Sequence, residues 1–161
     1  MAGALIVGCS DDGCIDGTRS LPHAALYRVG STTQISIEDL AVYDIGAPGD
    51  TLIEDTATLK EFYLPLRPGT DRCSFVLDYT ALKDTRDTIT VKYEGVPFFV
   101  SEDCGVSFFF NITEYSYTQH VLQQVDIPDL AITNVDRISV KIYYPVSSSS
   151  TDDDDTDEST E

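Results

Sequence analysis

Alternation of apolar and polar residues in several short segments most constrains the fold of this chain. In the segment DRISVKIYY, residues 136–144, every second side chain is isoleucine, valine or tyrosine, and most of those between are polar. Residues 73–79, 88–93 and 105–113 repeat this period of two, which sends successive side chains of a strand to opposite faces of a sheet. The predicted core-facing residues are Cys73, Phe75, Leu77, Tyr79, Ile89, Val91, Tyr93, Val106, Phe108, Phe110, Ile112, Ile138, Val140, Ile142 and Tyr144.

Turn signals separate these segments and complete the prediction of the fold class. Further candidate strands are 25–30, 34–46, 59–66 and 120–127. Predicted turns rich in glycine, proline and aspartate lie at 47–50, 67–70, 83–87, 94–97 and 127–129. No segment combines an apolar stripe at helical spacing with caps at both ends. The pattern predicts an all-β protein, an antiparallel immunoglobulin-like β-sandwich of about eight strands.

Composition divides the 161 residues into three zones. Residues 1–20 read as the remnant of a lipoprotein leader and a polar lead-in, and residues 21–145 as the β-sandwich domain. Residues 146–161 hold seven acidic residues, no basic residue and little apolar surface. Such a segment cannot offset the entropy of ordering, so we expect a disordered acidic tail.

The net charge of −18 restricts the classes of partner. The negative field repels the phosphates of nucleic acids and favours cationic partners, so no nucleic-acid partner is expected. No stretch reaches the ~18–20 consecutive apolar residues that a membrane-spanning helix needs.

The first residues suggest a lipid anchor. Ile6, Val7 and Gly8 precede Cys9, and this order resembles a bacterial lipobox, in which a cysteine after a small residue is cleaved free and acylated. Only eight residues precede Cys9 and none is basic, unlike a complete secretory leader. An upstream start, a shortened chain and a chance match are the alternatives, and we interpret the segment as a shortened leader with Cys9 as the lipidation site. The following Ser-Asp-Asp resembles a signal for export to the outer membrane.

The cysteines are not spaced for zinc, because no C-x-x-C pair occurs and both histidines are distant in sequence. Cys73 has core-facing parity and is expected to be a buried, inert thiol. A disulfide between Cys14 and Cys104 would fix the polar lead-in to the sheet and would require an oxidising compartment. The alternative is that all the thiols are free in a cytosolic protein.

Beyond the lipobox, several features occur in a characteristic order. They are Cys14, Leu64-Pro65-Leu66, the segment 87–91 leading through Phe98-Phe99-Val100 to Cys104-Gly105, and the closing strand 140–143. In these features residues 9–144 resemble a family of small lipoproteins of unknown function from Gram-negative gut anaerobes. The resemblance implies a lipid-anchored all-β domain and supports the pairing of Cys14 with Cys104. It implies no activity.

No catalytic motif is present: the chain lacks a G-x-S-x-G elbow, an H-E-x-x-H pair and a glycine-rich phosphate loop. We therefore predict no catalytic residues, no metal site and no cofactor. Tyr115 and Tyr117 are candidates for a binding platform, although aromatic residues at a sheet edge are also common for structural reasons.

These observations favour a lipid-anchored, non-enzymatic binding or accessory module at the outer membrane, exposed at the cell surface, with an unknown protein or glycan partner. A soluble periplasmic or surface-complex subunit that pairs through its sheet edges is the first alternative. An enzyme of unrecognised type is the second, and a deep pocket in which His23 or His120 meets carboxylates would favour it.

Overall fold

Ten strands and no helix form the part of the chain that the computed structural model describes, residues 19–46 and 51–145. The strands are β1 His23–Arg28, β2 Ile37–Ile45, β3 Thr51–Leu59, β4 Glu61–Tyr63, β5 Arg72–Tyr79, β6 Arg86–Ser101, β7 Gly105–Tyr117, β8 Gln124–Asp126, β9 Ala131–Ile132 and β10 Ile138–Tyr144. Within these residues there is accordingly no helix that could cross a membrane. The predictions for Cys9, Cys14 and the acidic tail concern segments outside the described residues.

The strands form two sheets that enclose one apolar core, which confirms the predicted all-β, sandwich-like architecture. One sheet has the order β4-β1-β10-β8 and the other has the order β3-β2-β5-β6-β7-β9. Leu26 and Ile142 of the first sheet share the core with Phe75 and Ile89 of the second, and all four are fully buried. Of the residues predicted to face the core, all are buried except Val106, Phe108 and Ile138.

One strand pair departs from the predicted antiparallel arrangement. β1 and β10 run parallel, with Leu26 opposite Ile142, whereas the other strand pairs among the described residues are antiparallel. Local alternation defines the faces of a strand but carries no information on the direction of a distant neighbour. The predicted antiparallel pairing therefore does not extend to β1 and β10.

Strand boundaries supply three further corrections. The predicted turn at 94–97 lies inside β6, and β3 was not predicted because acidic residues and threonines obscure its alternation. The candidate strand at 120–127 shortens to β8, since the N–H groups of residues 120–122 donate to a side chain instead of a neighbouring strand. With β3 and the two-residue β9, the count rises from about eight strands to ten.

Candidate binding surface

The β6–β7 hairpin extends beyond the rest of its sheet. β5 pairs with β6 only from Arg86 to Lys92, yet β6 continues to Ser101. On the other side, β9 pairs with β7 only at Phe110 and Asn111. We call residues 94–101 and 105–109 the distal ribbon. Among the described strands, the two halves of this ribbon pair only with each other.

Both faces of the distal ribbon are apolar. The core-side face continues outward from buried Phe110 through Pro97 and Phe108 to the neighbouring pair Phe99 and Val106, which are 67% and 58% exposed. The opposite face carries Val96, which is 43% exposed. On that face the rings of Phe98 and Phe109 stack at a centroid distance of 4.0 Å and an interplanar angle of 18°. A strand of an antiparallel sheet usually packs its apolar face on the core and exposes a polar one. Exposed apolar surface on both faces is typical of sites that contact another molecule.

Hydrogen-bond direction explains why proline is tolerated in this strand. The N–H of Tyr93 donates to the carbonyl of Asp71, on the side away from β7, at 2.9 Å. Because backbone groups alternate in direction along a strand, Gly95, Pro97 and Phe99 also present their backbone groups to this outer edge. Pro97 lacks an N–H, and it lies where β7 requires none. This position is typical of proline in sheets and explains why the turn predicted at 94–97 is absent.

Two shallow clefts lie beside the ribbon, one on each side of Phe108. The first has a volume of about 390 Å³ and is lined by Arg19, Ser20, Leu21, Pro65, Leu66, Pro68, Val106, Ser107, Phe108 and Phe110. The second has a volume of about 660 Å³ and is lined by Gly69, Thr70, Asp71, Tyr93, Glu94, Gly95 and Phe108. Phe108 is the residue that the two linings share.

The Tyr93 hydroxyl fixes the turn between these clefts. It accepts a hydrogen bond from the N–H of Arg67 and donates one to the Arg67 carbonyl, each at 3.0 Å. Thr70 Oγ1 lies 2.7 Å from this hydroxyl and Cys73 Sγ lies 3.1 Å from it. Burial, followed by the hydrogen bond with Cys73, raises the pKa of Tyr93 to about 12. Gly69, with a φ of 81°, supplies the left-handed conformation at the predicted 67–70 turn.

His120 lies beside the carboxylate of Asp87, which is fully buried. The oxygens of Asp87 accept hydrogen bonds from the N–H groups of His120 at 2.7 Å, Val121 at 2.9 Å and Leu122 at 2.9 Å, and from the hydroxyls of Thr118 at 2.8 Å and Tyr79 at 3.2 Å. The Nδ1 atom of His120 lies 3.2 Å from Asp87 Oδ1. Burial opposes the ionised form of Asp87, but the hydrogen bonds outweigh it and hold the pKa of this carboxyl below its ordinary value of 3.8. This carboxylate organises the chain around residues 118–122.

His23 also meets carboxylates, at the edge of the smaller sheet. Its Nδ1 lies 2.9 Å from an oxygen of Asp136, whose second oxygen accepts a hydrogen bond from the Tyr63 hydroxyl at 2.9 Å. The rings of His23 and Tyr63 lie 4.4 Å apart, and Nε2 of His23 is 3.8 Å from Glu61. These contacts join β1, β4 and the residues before β10. Neither histidine lines either of the two clefts beside the ribbon, and no three potential ligands within the described residues are placed to hold a metal ion.

The other sequence-predicted site residues are dispersed. Tyr115 and Tyr117 are half-buried and pack against the core, so their proposed role in binding stays a prediction. Cys73 is buried and free, as predicted. Cys104 is disulfide-bonded, while the predicted partner Cys14 falls outside the described residues.

Sequence reasoning missed the distal ribbon as a candidate site. The available signal was the run Val96-Pro97-Phe98-Phe99-Val100, which places apolar residues at both strand parities. Reading residues 94–97 as a turn concealed this run.

Comparison with known proteins identifies the family of the chain. No curated protein and no solved structure matches it. Residues 39–144, which include the whole distal ribbon, match the model of the Family of unknown function (DUF6452). The chain belongs to this family.

Proposed function

We propose that this protein is a lipid-anchored, non-enzymatic binding module of the bacterial outer membrane, which docks a partner protein on its distal ribbon. The observation that carries the proposal is the exposure of apolar side chains on both faces of the ribbon, chiefly Phe99, Val106 and Val96. The buried cores of protein interfaces are more apolar than the rest of the surface and are enriched in aromatic residues.

The chemistry of the ribbon favours a protein over a glycan. A sugar requires polar groups around an aromatic platform, whereas Val96, Val106 and the stacked pair Phe98–Phe109 present hydrocarbon surface. Asp87 supports a binding role rather than catalysis, because its carboxylate is saturated by structural donors and buried. The His23 cluster joins sheet elements away from both clefts beside the ribbon.

The lipid anchor is the second part of the proposal and rests on the lipobox-like residues before Cys9. Cys73 is free and Cys104 is disulfide-bonded, which leaves Cys9 and Cys14 as candidate partners. If Cys9 carries the lipid, Cys104 pairs with Cys14. Four residues separate Cys9 from Cys14, a span of at most about 18 Å in extended chain. The disulfide would hold the anchor near the turn of the β6–β7 hairpin, so the partner would be met close to the membrane.

We expect alkyne-tagged palmitate to label the wild-type protein when it is expressed in bacteria with its native upstream coding region. Cys9→Ala should lose the label, because the acyl chains need this sulfur. Cys73→Ala is the matched control and should keep the label, since that thiol is buried. Label that persists in Cys9→Ala, or is absent from the wild type, would refute the anchor.

For the ribbon, we expect p-benzoylphenylalanine in place of Phe99 to form a discrete photo-crosslinked adduct with a partner protein in intact cells. The same amino acid in place of Leu82, which is 49% exposed on the turn between β5 and β6, should form none. Adding Val96→Ser and Val106→Ser to the Phe99 probe should remove most of the adduct, because both changes strip apolar surface without touching the core.

The mass of that adduct also shows which kind of molecule binds the ribbon. An adduct of twice the mass of the chain would identify a second copy and contradict the proposed partner. Equal adduct yield from positions 99 and 82, or a yield unaffected by the two serines, would contradict docking on the ribbon.

A further inference from the structure

We propose that the outer edge of β6 receives an extended, basic segment of the partner, with a lysine or arginine side chain in the second cleft, between Asp71 and Glu94. This inference rests on the proposed function, because it specifies the partner segment that the distal ribbon docks. Three independent features support it: the backbone edge, the charge of the cleft and its apolar floor.

The backbone edge favours an extended chain. Beyond Lys92 no described strand pairs with the outer side of β6. An added strand would use the backbone groups that face outward. These are the N–H groups of Gly95 and Phe99 and the carbonyls of Gly95, Pro97 and Phe99. Pro97 removes one donor from the middle of this row, which limits uncontrolled edge pairing and leaves selectivity to the side chains.

The cleft at the start of this edge is lined by two acidic residues and by no basic residue. Asp71 and Glu94 line it, both are exposed, and no salt bridge within the described residues involves either. Two nearby basic side chains have acidic partners of their own, because Lys92 pairs with Glu114 at 2.6 Å and Arg67 pairs with Asp44. Arg72, which follows Asp71, lies opposite Lys92 and does not line the cleft. Residues 93–105 add Glu102 and Asp103 and contain no lysine or arginine. A cation from a partner would therefore meet a complementary field.

The floor of the cleft suits the hydrocarbon part of a long cationic side chain. Gly95 has no side chain, and a Cβ at this position would lie 3.5 Å from a ring atom of Phe108 and 3.6 Å from one of Phe110. The glycine thus leaves the aromatic rings accessible from the cleft. An arginine or lysine can lay its methylene chain over Phe108 and direct its charged group to the β6 edge, where Asp71 and Glu94 supply negative charge from the two faces of the sheet.

Binding of two fluorescein-labelled octapeptides, measured by fluorescence anisotropy, tests the proposal. One peptide alternates valine with arginine, and the other alternates valine with glutamate. The arginine peptide should bind the wild-type protein, more weakly as salt is raised, and the glutamate peptide should not. Asp71→Asn with Glu94→Gln should weaken binding of the arginine peptide about fivefold. Gly95→Leu should weaken it by a similar factor, because the added side chain covers Phe108.

Glu38→Gln with Glu54→Gln is the matched control, since it removes the same charge from the β2–β3 edge of the sheet. It should change the affinity less than twofold. Equal losses in the two double variants would show attraction to net charge alone and would overturn the cleft assignment. Failure of the arginine peptide to bind the wild type would overturn it as well. In either case the photo-crosslink at position 99 still decides whether the ribbon docks a partner.

Discussion

Asp87→Asn is expected to lower the free energy of unfolding by about 3–5 kcal/mol, because it disrupts a buried network of hydrogen bonds. An asparagine offers one acceptor oxygen, and its amide would face backbone N–H groups that now donate to Asp87. Several buried donors would lose their acceptor together. Urea denaturation at pH 7 measures the effect.

Asp84→Asn is the matched control for this substitution. Asp84 lies on the turn before β6, is exposed and has a φ of 55°, a conformation that asparagine also adopts readily. Its replacement should change the free energy of unfolding by less than about 0.5 kcal/mol. A comparable loss in both variants would assign the effect to the hairpin rather than to the buried carboxylate.

The difference between the wild type and Asp87→Asn should also depend on pH. The folded-state pKa of Asp87 lies below its ordinary value of 3.8, so the ionised carboxylate stabilises the folded state above that value. This contribution is lost as the pH falls below about 4 and through the lowered folded-state pKa. A difference in unfolding free energy that stays constant from pH 7 to pH 2.5 would show that the charge of Asp87 is not its source.

Asp87 also shows which structural features could not be predicted from the sequence, namely contacts between residues that are distant along the chain. Strict alternation in segments such as 73–79 and 88–93 correctly predicted the buried rows that include Phe75 and Ile89, because each pattern is local. The donors to Asp87 from residues 118–122 lie 31 to 35 residues away along the chain. The sequence around position 87 therefore contains no signal of these hydrogen bonds. Asp87 is the second residue of β6 and directly precedes the alternating segment 88–93, a position at which an acidic residue is expected to be exposed to solvent.

The distal ribbon escaped prediction for a related reason. The ribbon is exposed because β5 begins only at Arg72, opposite Lys92, and leaves the rest of β6 without a neighbour on that side among the described strands. The same β6 sequence paired along its whole length would be an ordinary central strand. Gly95 and Pro97 are strong turn formers in isolation, and only the orientation of the β6 backbone shows that Pro97 costs no hydrogen bond with β7. Strand type and core membership were therefore predictable, whereas strand ends and exposed edges, which depend on pairing, were not.

Arg67→Met is expected to destabilise the protein by about 3 kcal/mol in urea denaturation at pH 7. Its guanidinium pairs with the carboxylate of Asp44, whose side chain is 5% exposed, while that of Arg67 is 26% exposed. Methionine keeps much of the hydrocarbon volume but leaves the buried charge of Asp44 without this cation. The backbone groups of Arg67 still bond to Tyr93, so the 67–70 turn should persist and the measured loss should report the ion pair.

Two comparisons separate the ion pair from other effects of Arg67. Asp44→Leu combined with Arg67→Met should regain most of the lost stability, since an apolar pair of similar volume also removes the buried carboxylate. Arg137→Met breaks a pair with Asp129 in which both side chains are 42% or more exposed, and it should cost less than about 1 kcal/mol. If the double variant were no more stable than Arg67→Met, the loss would come from packing around the arginine. Recovery would instead show that the Arg67 cation offsets the cost of burying the Asp44 carboxylate in β2, so that the 67–70 turn beside the clefts contributes to the stability of the larger sheet.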